Sequence, residues 1–325
     1  MKSAASVAVV VVNWNSGGHL RTCLQALCKQ THQDYSVVVV DNSSTDDSAR
    51  SVAEMGDPRI TLLQLEQNVG FAKANNLGVR ASGQTPWVAL LNPDAYPEPT
   101  WLAELLAAAS TYPQMAGFGS RLIQAQALNL SDGTGDAYHC SGRPYRRDHG
   151  RSVERSCRIA GEIFSPCAAA ALYRRDSWDA AGGLDEDFFC YCEDVDLGFR
   201  LRLAGLAFWY VPTALCLHVG SAVTGRRSDF SCYYGQRNLV WTYTKNMPSP
   251  LFWLLLPAHF ALNLLALAMF TLRGQGAVVW RAKADALGAL PEVWKKRRQI
   301  QARRVLTSAQ LWTLLDKKIW RWRWR

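Results

Sequence analysis

Val7-Ala8-Val9-Val10-Val11-Val12-Asn13-Trp14-Asn15-Ser16-Gly17-Gly18 sets a β-branched run directly against a polar loop that ends in glycine. The run has no hydrophilic face, so it reads as a strand buried on both sides, as strands are in a parallel sheet covered by helices. The pattern recurs downstream. A helix is expected over 19–29, with Leu20, Leu24 and Leu27 on one face, then a strand over 36–40 ending at Asp41. A helix over 48–55, a strand over 60–65, a helix within 68–81 and a strand over 87–91 ending in Asn92-Pro93-Asp94 follow. This alternation predicts an α/β fold with a mixed, mostly parallel sheet between helices. Polar residues gathered after successive strands mark where such sheets bind ligands.

Later segments are less regular. Residues 120–160 are rich in Gly, Arg and His and weak in periodicity, and are expected to form a long insertion beside the site. Order is expected to return over 164–173 and in a helix near 193–204, closed by Gly205.

Charge divides the 325 residues. Residues 1–240 carry 21 Lys/Arg against 24 Asp/Glu, and residues 241–325 carry 15 against 3. The first part has no composition suited to nucleic acid, whereas the tail calls for an anionic partner or surface. Nine cysteines without C-x-x-C pairs or zinc spacing suggest a reducing, cytosolic compartment. The short polar stretch 1–6 runs straight into a strand, so no signal peptide is expected.

Four segments carry candidate chemistry. Asp41 opens Asp41-Asn42-Ser43-Ser44-Thr45-Asp46 and can accept from a pyrimidine N–H or a ribose hydroxyl; an Asx turn closing the strand is the structural alternative. Asn68-Val69-Gly70-Phe71-Ala72-Lys73 places a glycine turn before a helix, which is also an ordinary helix entry. Asp94, at the end of an apolar strand, suits Mg²⁺ or Mn²⁺ bridging a diphosphate, with Asn92 offering a neutral oxygen. Residues 185–196 interleave six carboxylates with aromatics, and Glu193, Asp194 and Asp196 fall at a helix start that favours their ionised form. One of these suits a general base for a sugar hydroxyl, and helix capping accounts for others. His218 is a further candidate ligand, or a core histidine.

In combination these segments resemble family 2 glycosyltransferases of the GT-A fold, in consistent order over about residues 6–245. The resemblance is carried by Asn13-Trp14-Asn15, Asp41-Asn42-x-Ser44-x-Asp46, Asn68-x-Gly70-Phe71-Ala72, Asn92-Pro93-Asp94-Ala95, Gly183-Leu184-Asp185-Glu186-x-Phe188-Phe189 and Glu193-Asp194-x-Asp196-Leu197. Within the family the chain is most similar to rhamnosyltransferase-type members, on Asn92-Pro93-Asp94, Asp132-Gly133-x-Gly135-Asp136 and Tyr233-Tyr234-x-x-Arg237-Asn238. Residue by residue, the resemblance implies Asp41 at the nucleobase, Asp94 on the metal with His218 as a further metal or diphosphate contact, and Asp194 as general base. It implies donor contacts from Asn13, Asn15, Asn42, Asn68, Gly70, Lys73 and Asn92. Two departures stand out: Asn92 replaces an acid, and Cys167-Ala168 stands where many relatives have Gly-Ala.

The implied activity is inverting transfer of a sugar, rhamnose from dTDP-rhamnose foremost, from a nucleotide diphosphate to a hydroxyl of a lipid-linked or polysaccharide acceptor. The alternatives are a hexosyl- or galactofuranosyltransferase using a UDP-sugar and a catalytically silent nucleotide-sugar binder. A nucleotidyltransferase would need basic residues in a glycine-rich N-terminal loop, which Ser16-Gly17-Gly18-His19 lacks. A catalytic domain over 1–245 and a basic helical region over 246–325 are expected. Residues 251–272 are apolar but interrupted by Pro257, His259 and Asn263, which favours a helix lying in the membrane interface over a spanning one. Lys295-Lys296-Arg297-Arg298 and the terminal Trp320-Arg321-Trp322-Arg323-Trp324-Arg325 suit the cytoplasmic headgroup region of the cell membrane.

Overall fold

In a computed structural model, the chain is described over residues 6–154, 157–220, 225 and 228–318; the terminal Trp/Arg repeat lies outside the described residues. The first half alternates as the hydropathy pattern predicts: β1 (Val7–Asn13), α1 (Gly18–Cys28), β2 (Tyr35–Asp41), α2 (Arg50–Met55), β3 (Ile60–Gln64), α3 (Phe71–Ala81) and β4 (Trp87–Leu91). The four strands run parallel in the order β3-β2-β1-β4. β1 is buried at every position, and its alternate residues feed two cores. Val7, Val9 and Val11 pack with Leu20, Leu24 and Leu27 of α1, while Val10 and Val12 pack with Ala72, Ala74 and Val79 of α3. A Cβ on Gly78 of α3 would collide with Val10 and Val40, so glycine there lets the helix settle directly on the sheet.

Downstream come β5 (Ala95–Pro97), α4 (Trp101–Thr111), β6 (Met115–Gln124), β7 (Ala127–Gly133), β8 (Asp136–Tyr138), β9 (Pro144–Arg146), β10 (Gly161–Ile163), β11 (Ala170–Arg174), α5 (Arg175–Ala181), α6 (Glu193–Leu203) and β12 (Ala207–His218). β11 inserts antiparallel between β4 and β6, and β12 lies parallel to β6. The sheet is thus mixed and mostly parallel in its first half. The stretch 120–160, expected to lack regular structure, contains the end of β6, its hairpin partner β7 and the β8–β9 pair. Its buried positions include Ser131, Asp132, Thr134 and Asp136, which defeats an apolar-alternation reading. Gly205, with φ +86°, ends the α6 turn as expected.

β12 carries an irregularity that matters for the site. Val211 pairs with Ser120, but Leu215 pairs with Arg121, leaving Pro212, Thr213 and Ala214 as a bulge. Beyond it, 216–218 pair with β5 on the other side, so His218 lies opposite Ala95 and next to the end of β4.

Helices α7 (Asp229–Asn246), α8 (Ser249–Leu272), α9 (Gly276–Gly288), α10 (Leu290–Ala302) and α11 (Ser308–Leu314) complete the chain. Tyr243, Met247, Leu251, Phe252, Leu255, Leu311 and Leu315 share one buried cluster with Tyr138, Phe164, Val195 and Phe199. α8 buries Leu251, Leu255, His259, Leu262 and Ala266, and exposes Trp253, Leu254, Phe260, Leu264, Leu265 and Leu272. Two of its polar interruptions each find one partner inside the fold. His259 Nδ1 lies 2.9 Å from Ser141 O and its ring stacks on Tyr243, and Asn263 Nδ2 donates to His259 O. The basic cluster of α10 is divided. Arg297 is buried and donates to Thr244 O, and Lys296 pairs with Asp185 and Asp187, while Lys295 and Arg298 remain exposed.

Candidate active site

A cavity of about 890 Å³ opens where the ends of β1, β2 and β4 meet α6 and α7. On its strand side, polar side chains hold one another. Asn13, fully buried, donates through Nδ2 to Asp41 Oδ1 (2.8 Å), Ser44 Oγ (3.1 Å) and Ser48 Oγ (2.8 Å). Ser44 Oγ donates to Asp41 Oδ1 at 2.6 Å, and Asn15 Oδ1 accepts from Thr45 N at 2.7 Å. Asn42 Nδ2 donates to Asn68 Oδ1 (2.9 Å), and Asn42 Oδ1 accepts from Val69 N (2.9 Å). Asn42, Asn68, Gly70, Asn92, Asp94, Asp194 and His218 line the cavity. Asp41, Asn13 and Asn15 stand behind that lining as its brace, and Lys73 is exposed on α3, outside it.

Asp94 and His218 meet at the cavity floor, both buried, with Nε2 3.3 Å from Asp94 Oδ1. His218 Nδ1 lies 2.7 Å from Asp132 Oδ2, and Asp132 in turn pairs with Arg146 Nη1 (2.5 Å) and His149 Nδ1 (3.3 Å). Burial alone would lower the His218 pKa, but its hydrogen bonds to Asp132 and Asp94 and their charges raise it above the usual value. Burial works against ionisation of Asp132 too; Arg146, His149 and His218 outweigh it and hold that carboxyl well below its ordinary range. A divalent ion fits this donor set: two ligand atoms of an octahedral ion lie about 3 Å apart. Asn92 Oδ1 is buried without a hydrogen-bond partner, and His218 Nε2 faces the Asp94 carboxylate. The carboxylate behind the imidazole is the usual support of a ligating histidine.

Opposite stands Asp194, half-buried in the first turn of α6. Its Oδ2 accepts from Ala168 N (3.0 Å) and its Oδ1 from Val195 N (2.8 Å). Burial raises its pKa against those bonds and Arg146. Asp136 and Cys167 bring a carboxylate and a thiol within 4.8 Å of the Asp194 carboxylate. Burial and then Asp194 push Asp136 well above the ordinary range, so it holds a proton more readily than an ordinary carboxyl does. Burial and then Asp194 raise Glu193 in the same way. Burial opposes the Arg146 charge, but Cys167, Asp132, Asp136 and Asp194 around it more than restore it, making Arg146 the resident cation of this wall. A Cβ on Gly133 would run into the Arg146 side chain. Asp196 is committed elsewhere, to Lys245 (2.7 Å), Arg200 (2.8 Å) and Asn246 (2.7 Å).

The loop before α6 completes the wall. Phe189, Tyr191 and Cys192 all have positive φ, an arrangement that costs energy unless neighbours enforce it. Asn238 of α7 enforces it, donating from Nδ2 to the carbonyls of Phe188 (2.9 Å), Cys190 (2.8 Å) and Tyr191 (2.7 Å). Arg237 donates to Asp187 O and Phe188 O, both at 2.9 Å. Sequence reasoning gave no site role to Asp132, Asp136, Arg146, His149 or Asn238; the motifs holding Asp132, Asp136 and Asn238 were the available signal.

Comparison with known proteins bears on the family and the fold. Residues 8–180 match the family model described as glycosyl transferase family 2. The chain is 31% identical over 244 residues to an N-acetylglucosaminyl-diphospho-decaprenol L-rhamnosyltransferase of Mycobacterium tuberculosis, covering 67% of this chain and 77% of that one. It is 29% identical to galactofuranosyltransferase GlfT1 of Mycolicibacterium smegmatis, over 65% and 70% of the two chains. Among solved structures it resembles GalNAc-T7 with UDP, GalNAc and Mn²⁺, at TM-score 0.61 and 14% identity over 77% of this chain, which spans about half (49%) of that one. The sheet order, the cavity at the strand ends and these matches agree on the GT-A fold, and the chain belongs to the family 2 glycosyltransferases.

Proposed function

We propose that the chain transfers rhamnose from dTDP-rhamnose, with inversion and with Mg²⁺ or Mn²⁺, to a hydroxyl of a lipid-linked acceptor at the cytoplasmic membrane face. The observation that carries this reading is one cavity holding Asp194 on one wall and the Asp94–His218 pair on the other. Asn42, Asn68 and Asn92 orient the nucleotide and diphosphate on the strand side, and Asp41 holds that wall from behind. Asp94 and His218 would hold the ion, which when bound offsets the charge of the leaving diphosphate. Asp194 takes the proton of the acceptor hydroxyl as its oxygen bonds to the sugar C1 and the C1–O bond to the diphosphate breaks. The neighbouring Asp136 carboxyl, pushed well above its ordinary range, leaves Asp194 as the base of the pair.

The L-rhamnosyltransferase of M. tuberculosis, named for an N-acetylglucosaminyl-diphospho-decaprenol acceptor, supports rhamnose and a diphospho-lipid acceptor. Similarity to a galactofuranosyltransferase supports a second reading, a UDP-linked donor. Membrane association is supported by the exposed apolar face of α8, where each large side chain would gain about 1 kcal/mol or more on leaving water. The test is diphosphate release from dTDP-rhamnose and UDP-sugars with a glycosyl-diphospho-lipid acceptor, with and without Mn²⁺. In Asp94→Ala, donor affinity should lose its Mn²⁺ dependence; unchanged dependence overturns the metal assignment. A wild-type protein that binds donor but transfers to no acceptor would be a silent relative.

A further inference from the structure

Two acceptor oxygens in the helix wall lack a donor among the described residues. Glu193, in the first turn of α6, and Gln236, on α7, are each 5% exposed, and Glu193 Oε2 and Gln236 Oε1 are buried without a hydrogen-bond partner. Both residues line the cavity, as Asp194 does. The two helices are held together there, because Asn238 of α7 donates to the Cys190 and Tyr191 carbonyls of the loop that leads into Glu193. The neighbouring donors are spent: Asn238 on three loop carbonyls, Arg237 on two, and Arg200 and Asn246 on Asp196. A buried oxygen left unpaired is costly, and a donor arriving from the cavity removes that cost. Gly235 leaves room for one. It lines the cavity beside Gln236, and a Cβ built on it would meet no atom of the described residues within 4 Å. Leu239, one turn further along α7, adds an apolar surface to the same wall.

We propose that Glu193, Gln236 and the notch at Gly235 hold the ring of the acceptor sugar, and that Gln236 restricts this subsite to sugars presenting uncharged hydroxyl or amide donors. The assignment rests on the transferase reading above, in which Asp194 takes the acceptor proton, and it names the class of sugar that reading leaves open. The selection follows from what each group can donate and accept. A hydroxyl does both, so it serves the Gln236 oxygen, which only accepts, and the Glu193 carboxyl in either protonation state. A carboxylate on the sugar only accepts. It would leave Gln236 Oε1 unpaired and bring like charge beside Asp194. A site built around a substrate's hydrogen-bonding group rejects analogues without it more strongly than an apolar pocket rejects a change of size.

The test separates acceptor binding from catalysis. The full chain, with the donor side filled by dTDP or UDP and Mn²⁺, is titrated with the 4-nitrophenyl glycosides of glucose, galactose and N-acetylglucosamine, and with the glucuronide and galacturonide. The best neutral glycoside should bind roughly tenfold or more tightly than either uronide. Gln236→Leu should bring that preference to within about threefold by weakening the neutral glycoside. Gly235→Leu, which fills the notch, should abolish glycoside binding, and nucleotide affinity measured on the same variant reports that the chain is folded. The assignment is overturned by a preference that is absent in the wild type or survives in Gln236→Leu, and equally by glycoside binding that Gly235→Leu leaves as in the wild type. If the preference depends on Gln236 but no sugar is transferred, the proposed activity fails and the subsite stands. If transfer is found and uronides serve as well as neutral glycosides, the subsite fails and the activity stands.

Discussion

The two walls of the cavity are built on different physics. The strand wall is a closed mesh: Asn13, Asp41, Ser44 and Ser48 hold one another, and Asn42 with Asn68 fixes the glycine turn. The helix wall is charged and strained, with Asp136, Glu193 and Asp194 crowded together behind a loop of left-handed residues. A mesh suits recognition, because its shape exists before the ligand arrives. Crowded carboxyls suit proton transfer, because burial lifts their affinity for a proton toward neutrality.

The sharpest attempt to break this division is Asp194→Asn. It should cost on the order of 10²–10⁴ in kcat while donor affinity, measured by titration, stays near wild type. A large loss of donor binding would mean the helix wall also recognises the nucleotide. Next in size is Asp132→Asn, which removes the carboxylate behind His218. Mn²⁺ affinity should fall roughly 10–100-fold at alkaline pH. In the wild type, affinity should fall further as pH drops through the raised His218 pKa, because the imidazolium cannot ligate. Without Asp132 that pKa is lower, so the decline should begin at more acidic pH. A decline that begins at higher pH would contradict the pairing.

Gly70 is where the walls touch. Its φ is +85°, and an added Cβ would lie 2.6 Å from Phe189 Cδ2 and 2.7 Å from Phe189 O. Gly70→Ala should therefore destabilise by about 1–3 kcal/mol, read by denaturant melting, and raise KM for both substrates. An effect confined to the donor would show the walls to be mechanically independent. The smallest effect concerns neither wall. Leu264→Glu on α8 should weaken sedimentation with anionic vesicles by a few kcal/mol at most and leave donor hydrolysis unchanged. Undiminished sedimentation would remove α8 from the membrane reading.

The same contrast governs what the sequence could reveal. The strand wall is local: apolar runs end in polar loops, and β1, β2 and β4 with Asp41 and Asp94 at or just beyond their ends follow from periodicity. The floor and the helix wall are assembled across long separations. His218 meets a carboxylate 86 residues earlier in the chain, Asp132, and Asn238 reaches a loop about 50 residues before it. No hydropathy pattern encodes such pairings. The buried polar residues of β7 and β8 read as loop because their partners are distant. Lys296 and Arg297 likewise read as surface charge, but Asp185 and the Thr244 carbonyl draw them inward.

The bulge in β12 has a consequence for how this chain can change length. Three residues of β12 stand between partners that are neighbours on β6, so the alternation of side chains is not carried across the bulge. Beyond it, pairing with β6 and β5 sets the register of 215–218 anew and holds His218 at the floor beside Asp94. A residue gained or lost within Pro212–Ala214 is therefore taken up by the bulge. One gained or lost just beyond it would reverse the faces and turn His218 from the floor.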